Sequence, residues 1–143
     1  MDKKTAQPWH SDPRFGPYKF FNAKRGKEES SSVGHSIYNR EECHIIAAIY
    51  NALKRQFSDI NLDYRIGIVS MYRAQIAELR KIFQNRFGAD IVGKIDFSTV
   101  DGFQGQEKDI IILSCVRAGP SLTSVGFLAG EGFHSVFEFN YLI

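Results

Sequence analysis

Eight residues, Asp101 to Lys108, separate two apolar segments, Ile95 to Val100 and Asp109 to Val116, and that spacing limits what the chain can build. Both segments are rich in β-branched and aliphatic side chains, which suit a pleated, buried surface. A full crossover between parallel strands takes about a dozen residues or more and normally contains a helix. The linker is too short for that, so it is expected to be a turn or a single helical turn at the carboxyl edge of a sheet. Open α/β sheets bind their ligands at that edge.

Upstream, the hydrophobic period changes from two to 3.6. Asn39-Arg40-Glu41-Glu42 places an N-cap residue three positions before a carboxylate, the arrangement that satisfies the orphan N–H groups of a helix start. Ile45, Ile46, Ile49, Leu53 and Phe57 then form one stripe, and Lys54 and Arg55 suit the negative end of the dipole. The pattern predicts a helix over 40–57 that packs on a sheet. Ile66 to Ser70 reads as a strand buried on both faces. A second helix carries Ile76, Leu79, Phe83 and Phe87 and closes at Gly88, a position that favours positive φ. A short strand is expected at Tyr18 to Asn22 and a polar loop at Lys24 to His35. Three of the four prolines fall in residues 1–17, which read as an extended lead-in. Strands alternating with helices in this order predict an α/β domain with a mainly parallel sheet.

Hydrophobic residues make up 43% of the 143-residue chain and aromatic residues 13%, enough to bury a core in one domain. No apolar stretch approaches bilayer length, and Met1 to Pro8 lacks the apolar run of a signal peptide, so the expectation is a soluble intracellular protein without membrane contact. Cys43 and Cys115 lack metal-ligand spacing and are expected to be reduced core thiols; the four histidines match no metal signature either. Residues 1–40 hold eight Lys/Arg against four Asp/Glu, whereas residues 41–143 hold ten against twelve. A basic front of this size suits phosphate contact or an ordinary solvated surface.

The linker also holds chemistry. Gly102 and Gly105 flank Phe103-Gln104, so the backbone can turn sharply, while Gln104, Gln106 and Glu107 offer amides and a carboxylate. Binding groups concentrate on such loops, yet an ordinary turn has the same composition, and Glu107 could simply pair with Lys108. Arg73 at a helix start suits a phosphate, as does the helix N-terminus itself, and equally suits solvent.

Val100-Asp-Gly-Phe-Gln-Gly-Gln-Glu-Lys-Asp109, followed by four apolar residues and Ser114-Cys-Val-Arg117, resembles motif V of the superfamily 1 helicases of the senataxin and nonsense-mediated-decay group. Ile66 to Gln75, a strand ending in Tyr72 with Gln75 three residues on, resembles the family's motif IV, although Ser70-Met71 stands where the family usually has Thr-Pro. Phe15 to Phe21 and Ser36 to Glu42 also resemble the family's entry into its second RecA-like domain, so the likeness covers residues 9–128. It implies a RecA-like (P-loop NTPase-like) fold over 18–128 and a cleft shared with a first RecA-like domain. It also implies Gln104, Gly105 and Glu107 on the nucleotide side, with Glu107 toward the nucleotide sugar. Ser98 and Thr99, joined by Tyr72, Arg73 and Gln75, would face the nucleic acid, a single strand of RNA or DNA.

ATP and Mg²⁺ follow from the resemblance only together with the first domain. This sequence has no G-x-x-x-x-G-K-[ST] and no acidic Walker B segment, and no arginine follows Arg117 where motif VI would supply an arginine finger. The chain is therefore expected to be a helicase fragment that is inactive alone. Residues 129–143 depart from the family pattern and read as a divergent tail, from an altered reading or a natural truncation, whose Phe133, Phe137 and Phe139 suit a bare sheet edge. A stand-alone interaction or nucleic-acid-binding module derived from a helicase is the alternative. An unrelated flavodoxin-like domain is disfavoured by the lack of a Gly-rich phosphate loop. The resemblance favours the nucleus over the cytoplasm.

Overall fold

A computed structural model describes residues 6–117 and the backbone of residues 138–139. Its centre is a sheet in which β3 (Ile66–Ser70) pairs in parallel with β4 (Asp96–Thr99) on one side and with β5 (Ile110–Ser114) on the other. Beyond β5, β6 (Glu138–Phe139) adds an antiparallel edge through Ile112↔Phe139 and Leu113↔Glu138. Phe133 and Phe137 lie outside the described residues. Every residue of the central strand β3 is buried, as its continuous apolar run predicts.

Strand periodicity sorts the side chains between two unequal faces. Ile66, Ile68, Phe97, Ile110 and Ile112 point into the main core with the stripes of α1 (Arg40–Gln56) and α2 (Arg73–Phe87). Both helices begin and end within a residue of the expected positions. Asn39 Oδ1 accepts from Glu42 N at 3.2 Å as the N-cap of α1, and Gly88 closes α2 at φ +96°. Tyr50, Phe83, Phe87 and Phe97 meet edge-on or tilted at 4.9–5.5 Å between centroids, the geometry that ring quadrupoles favour. No described helix is long and apolar enough to cross a membrane.

On the opposite face Val69, Ile111 and half-buried Leu113 pack with Phe103. Phe103 ends α4 (Val100–Phe103), a single helical turn, one of the two forms expected between the last two parallel strands. Because β4 and β5 run in the same direction, residues 104–109 must carry the chain back to the amino edge. Lys108 marks the arrival there, its Nζ 3.2 Å from the Tyr64 carbonyl oxygen and 3.8 Å from Asp96. The linker therefore starts at the carboxyl edge, as expected, but does not stay there. A short helix, α3 (Ile91–Lys94), leads into β4.

The front of the chain differs from its sequence reading. Residues 8–15 are not extended: two 3-10 turns, Pro8–Ser11 and Pro13–Phe15, bury Trp9 at 2% exposure and Phe15 at 3% within the main core. Packing with the domain thus begins before residue 17. Tyr18 to Asn22 form no strand beyond a single bridge at Asn22, and Tyr18 and Phe20 are exposed. The polar loop at 24–35 instead contains β1 (Glu29–Ser30), paired antiparallel with β2 (Ile37–Tyr38), and turns through Gly34 and His35, both at positive φ. Arg65 links the 3-10 turns to the sheet: its guanidinium lies 5.0 Å from the Trp9 ring centroid and bonds Asp109 at 2.6 Å.

A Cβ on Gly67 would lie 2.8 Å from the Phe103 ring, so a side chain there has no room. Gly67→Ala is expected to destabilise the fold by about 1–3 kcal/mol through overpacking. Phe103→Leu in the same chain should recover part of the loss. The urea midpoints of both variants check this, and equal midpoints for Gly67→Ala and the parent would refute the close approach.

Candidate functional site

The carboxyl ends of the three parallel strands come level at Ser70, Thr99 and Ser114, since Ser70 pairs with both of the others. Segments that are distant in sequence therefore meet at one edge. Ser98 and Thr99 are half-buried there, with Gly102 packed above them: a Cβ on Gly102 would lie 2.8 Å from Ser98 Oγ. Glycine lets the α4 turn sit directly on these hydroxyls.

Tyr72 precedes α2, and its N–H donates to Ser70 Oγ at 3.3 Å. Arg73, the first residue of α2, is exposed. The start of α2 has no local side-chain cap; Ala74 N donates to Ser36 Oγ at 3.1 Å, so the β1–β2 hairpin loop caps the helix from outside. Gln104, Gly105 and Glu107 are all exposed on the return path over the second face. Gly105 has φ +77°, and a Cβ on it would meet nothing within 4 Å. Glu107 makes no ion pair among the described residues, because Lys108 is turned toward Asp96 instead.

Gln75 behaves differently from the other residues of its motif. It is 0% exposed, accepts from Asn39 N at 2.7 Å, and donates to Asn39 O at 3.2 Å and Ser114 Oγ at 2.8 Å. Its amide is used up inside the protein, which removes it from direct contact with a ligand. It positions the edge from within.

Gln75 belongs to a buried polar cluster that sequence reading missed. Glu42, also 0% exposed, accepts from Ser114 Oγ at 2.5 Å and Val116 N at 3.0 Å on one oxygen, and from Asn39 Nδ2 at 3.4 Å on the other. A signal was present: Glu42 falls on the same helical stripe as Ile46, Ile49 and Leu53. Reading it only as a helix-start carboxylate hid its inward direction. Val116 is held at φ +69°, strained for a β-branched residue, and its carbonyl accepts from Asn39 Nδ2 at 3.2 Å. Arg117 then leaves the sheet and bonds Glu28 at 3.2 Å and 3.4 Å.

Cys43 is fully buried beside this cluster, and burial pushes its thiol pKa well above the ordinary value. Cys115, expected in a buried strand, lies one residue past β5 and is half-buried. Among the described residues no group of three or more His, Cys, Asp or Glu is placed to hold a metal ion. The loop at Gly105 faces open space.

Parallel strands, helices packed on one sheet face and polar groups gathered at the carboxyl edge define a RecA-like α/β domain. The profile of a family described as "AAA domain" matches residues 1–133. The chain is 44% identical over 128 residues to helicase sen1 of Schizosaccharomyces pombe, covering 90% of this chain and 7% of that protein. It is 34% identical over 132 residues to the probable helicase MAGATAMA 3 of Arabidopsis thaliana, covering 92% and 16%. With the probable helicase senataxin of Homo sapiens it shares 35% identity over 119 residues, covering 83% and 4%. The chain belongs to this AAA-domain family of superfamily 1 helicases. It spans no more than 16% of the length of these relatives.

Glu42→Ala removes the acceptor for three buried donors and is expected to cost about 3 kcal/mol, whereas its exposed neighbour Glu41→Ala should cost less than about 0.5 kcal/mol. Chemical denaturation of the two variants measures the difference, and equal losses would refute the network. In the native protein Cys43 should resist alkylation at neutral pH and react only on unfolding. Mass spectrometry after a brief iodoacetamide pulse tests this, and rapid native labelling of Cys43 would contradict its burial.

Proposed function

We propose that this chain acts as the second RecA-like motor domain of an ATP-dependent helicase working on RNA or RNA/DNA. Support comes chiefly from one observation: the in-register pairing of Ser70 with Thr99 brings the end of β3, which Tyr72 and Arg73 follow, level with Ser98 and Thr99 at a single sheet edge. Hydroxyls and a guanidinium there suit the phosphate oxygens of a single strand, whichever its sequence. Such contacts position the strand and carry no base information. Gln75 and the Glu42 cluster keep that edge rigid from below.

Gln104, Gly105 and Glu107 form the nucleotide-side wall in this reading. An exposed carboxylate with no ion-pair partner among the described residues can accept from a ribose hydroxyl, and a glycine with open space above it leaves room for the ligand. The first RecA-like domain supplies the phosphate cradle, and ATP bound there with Mg²⁺ supplies the free energy of hydrolysis. The chain itself contains neither Walker segment nor an arginine after Arg117, so turnover requires that other domain and a motif VI arginine, in cis or in trans. The site of action is the nucleus or the cytoplasm.

A chimera tests this directly. The 128-residue matching segment of S. pombe helicase sen1 is replaced by the corresponding residues of this chain, which leaves the host's own remaining domains in place. Nucleic-acid-stimulated ATP hydrolysis should persist. Glu107→Ala or Thr99→Ala in the chimera should each lower it about 10-fold, the effect of losing one charge-assisted hydrogen bond. A folded chimera that does not hydrolyse ATP, or one indifferent to both substitutions, would overturn the reading.

A further inference from the structure

A second concentration of charge lies at the far end of the helices. α1 starts against Gln75 and Val116 at the carboxyl edge and α2 starts just after β3, so both end toward the amino edge. Arg73 and Arg86 are separated along α2 by about 20 Å of helix rise. Between the two helix ends is a concavity of about 430 Å³ lined by Arg14, Arg55 and Arg86, with the amides of Asn51 and Gln56 and a floor of alanines. Among the described residues no Asp or Glu lines it, and neither Arg55 nor Arg86 forms an ion pair. Arg14 is already shared: it bonds Asp12 at 2.6 Å and Gln56 at 3.2 Å.

We infer that this concavity is a second phosphate-binding surface, outside the motor cleft, for a nucleic-acid strand. Basic residues in the last turn of a helix also offset its dipole, and that accounts for one charge at each helix end. It does not account for the two helix ends and a third guanidinium, brought by an upstream 3-10 turn, meeting around one hollow. Guanidinium forks match phosphate oxygens bidentately, and the flanking amides add neutral donors. The floor of Ala48 and Ala52 gives no deep apolar pocket for the anchoring side chain that a protein partner would normally insert. Small, basic and shallow, the surface fits a phosphodiester better than a peptide.

The choice of polymer rests on the proposed function; the placement of the charge does not. A strand emerging from the carboxyl edge and following α1 and α2 would reach the concavity, where the contact would raise affinity and retention without touching the hydrolytic cleft.

Fluorescence anisotropy of the whole chain with a labelled single-stranded oligouridylate, across a salt series, tests the inference. Arg55→Ala/Arg86→Ala should weaken binding at least 10-fold. It should also flatten the slope of log K against log salt by about 1.4, the value for two lost phosphate contacts on a single strand. Arg55→Lys/Arg86→Lys should keep most of the slope while losing part of the affinity. Arg73→Ala, at the opposite edge, reports separately on the motor-cleft reading. If Arg73→Ala weakens binding and the double alanine variant does not, the second surface is refuted and the proposed function stands. If the parent chain binds no oligouridylate, the second surface is likewise refuted. If polyglutamate competes as well as the oligonucleotide does per unit charge, the assignment to phosphate fails.

Discussion

Glu42 sets the constraint on which the other parts of this structure depend. A carboxylate at 0% exposure is tolerated only when its oxygens are occupied, and here the occupants come from three elements. Asn39 belongs to the start of α1, Ser114 to the end of β5, and Val116 to the turn after it; Gln75, bonded to Asn39 and Ser114, adds the start of α2. No described buried side-chain polar atom lacks a partner. A fully satisfied network of this kind admits one arrangement of its elements, because a shift of any of them leaves a donor or acceptor unpaired in a low-dielectric interior. The strained Val116 conformation persists for the same reason: both its N–H and its carbonyl are held.

The consequence is a domain with one stiff edge and one exposed loop. Strand ends, hydroxyls and the first turn of α2 are locked at the carboxyl edge by the network beneath them and by Ser36 from the hairpin. The segment from Gln104 to Glu107 is anchored over the second face by the Phe103 ring, seated where Gly67 leaves room, and by hydrogen bonds from Gln106 to the Gly102 and Phe103 carbonyls. Rigid support next to an open loop suits the proposed role, in which a first RecA-like domain would complete the site. The same two helices carry apolar stripes to the core and leave arginines at their far ends, so one pair of elements serves both stability and surface charge.

Much of this was readable from local pattern. The stripe from Ile45 to Phe57, the Asn39 cap, Gly88 at a helix end and the unbroken apolar run of β3 depend on neighbours within a few residues, and each appears where expected. In the loop of the motif V likeness, Gly102 and Gly105 need their lack of a side chain for two different reasons, close approach to Ser98 and positive φ. Other features had no local signature. Pro8 and Pro13 suggested extension, yet the apolar surfaces of Trp9 and Phe15 found a core to enter and folded the segment into 3-10 turns. Gln75 sits in a helix beside a binding edge, and nothing near it in sequence indicates that its amide partners lie 36 and 39 residues away.

Short-range chemistry therefore settled the two long helices, the three parallel strands, their order and the family, because helix caps, periodicity and motif spacing act over one or two turns of chain. Direction was settled by packing. Whether Glu42 and Gln75 face inward or outward, whether the return loop ends at the carboxyl or the amino edge, and whether Arg14 joins Arg55 and Arg86 depend on which distant segments come to share a surface. Burial energies and the need to satisfy buried polar groups decide those questions only once the sheet and both helices are assembled.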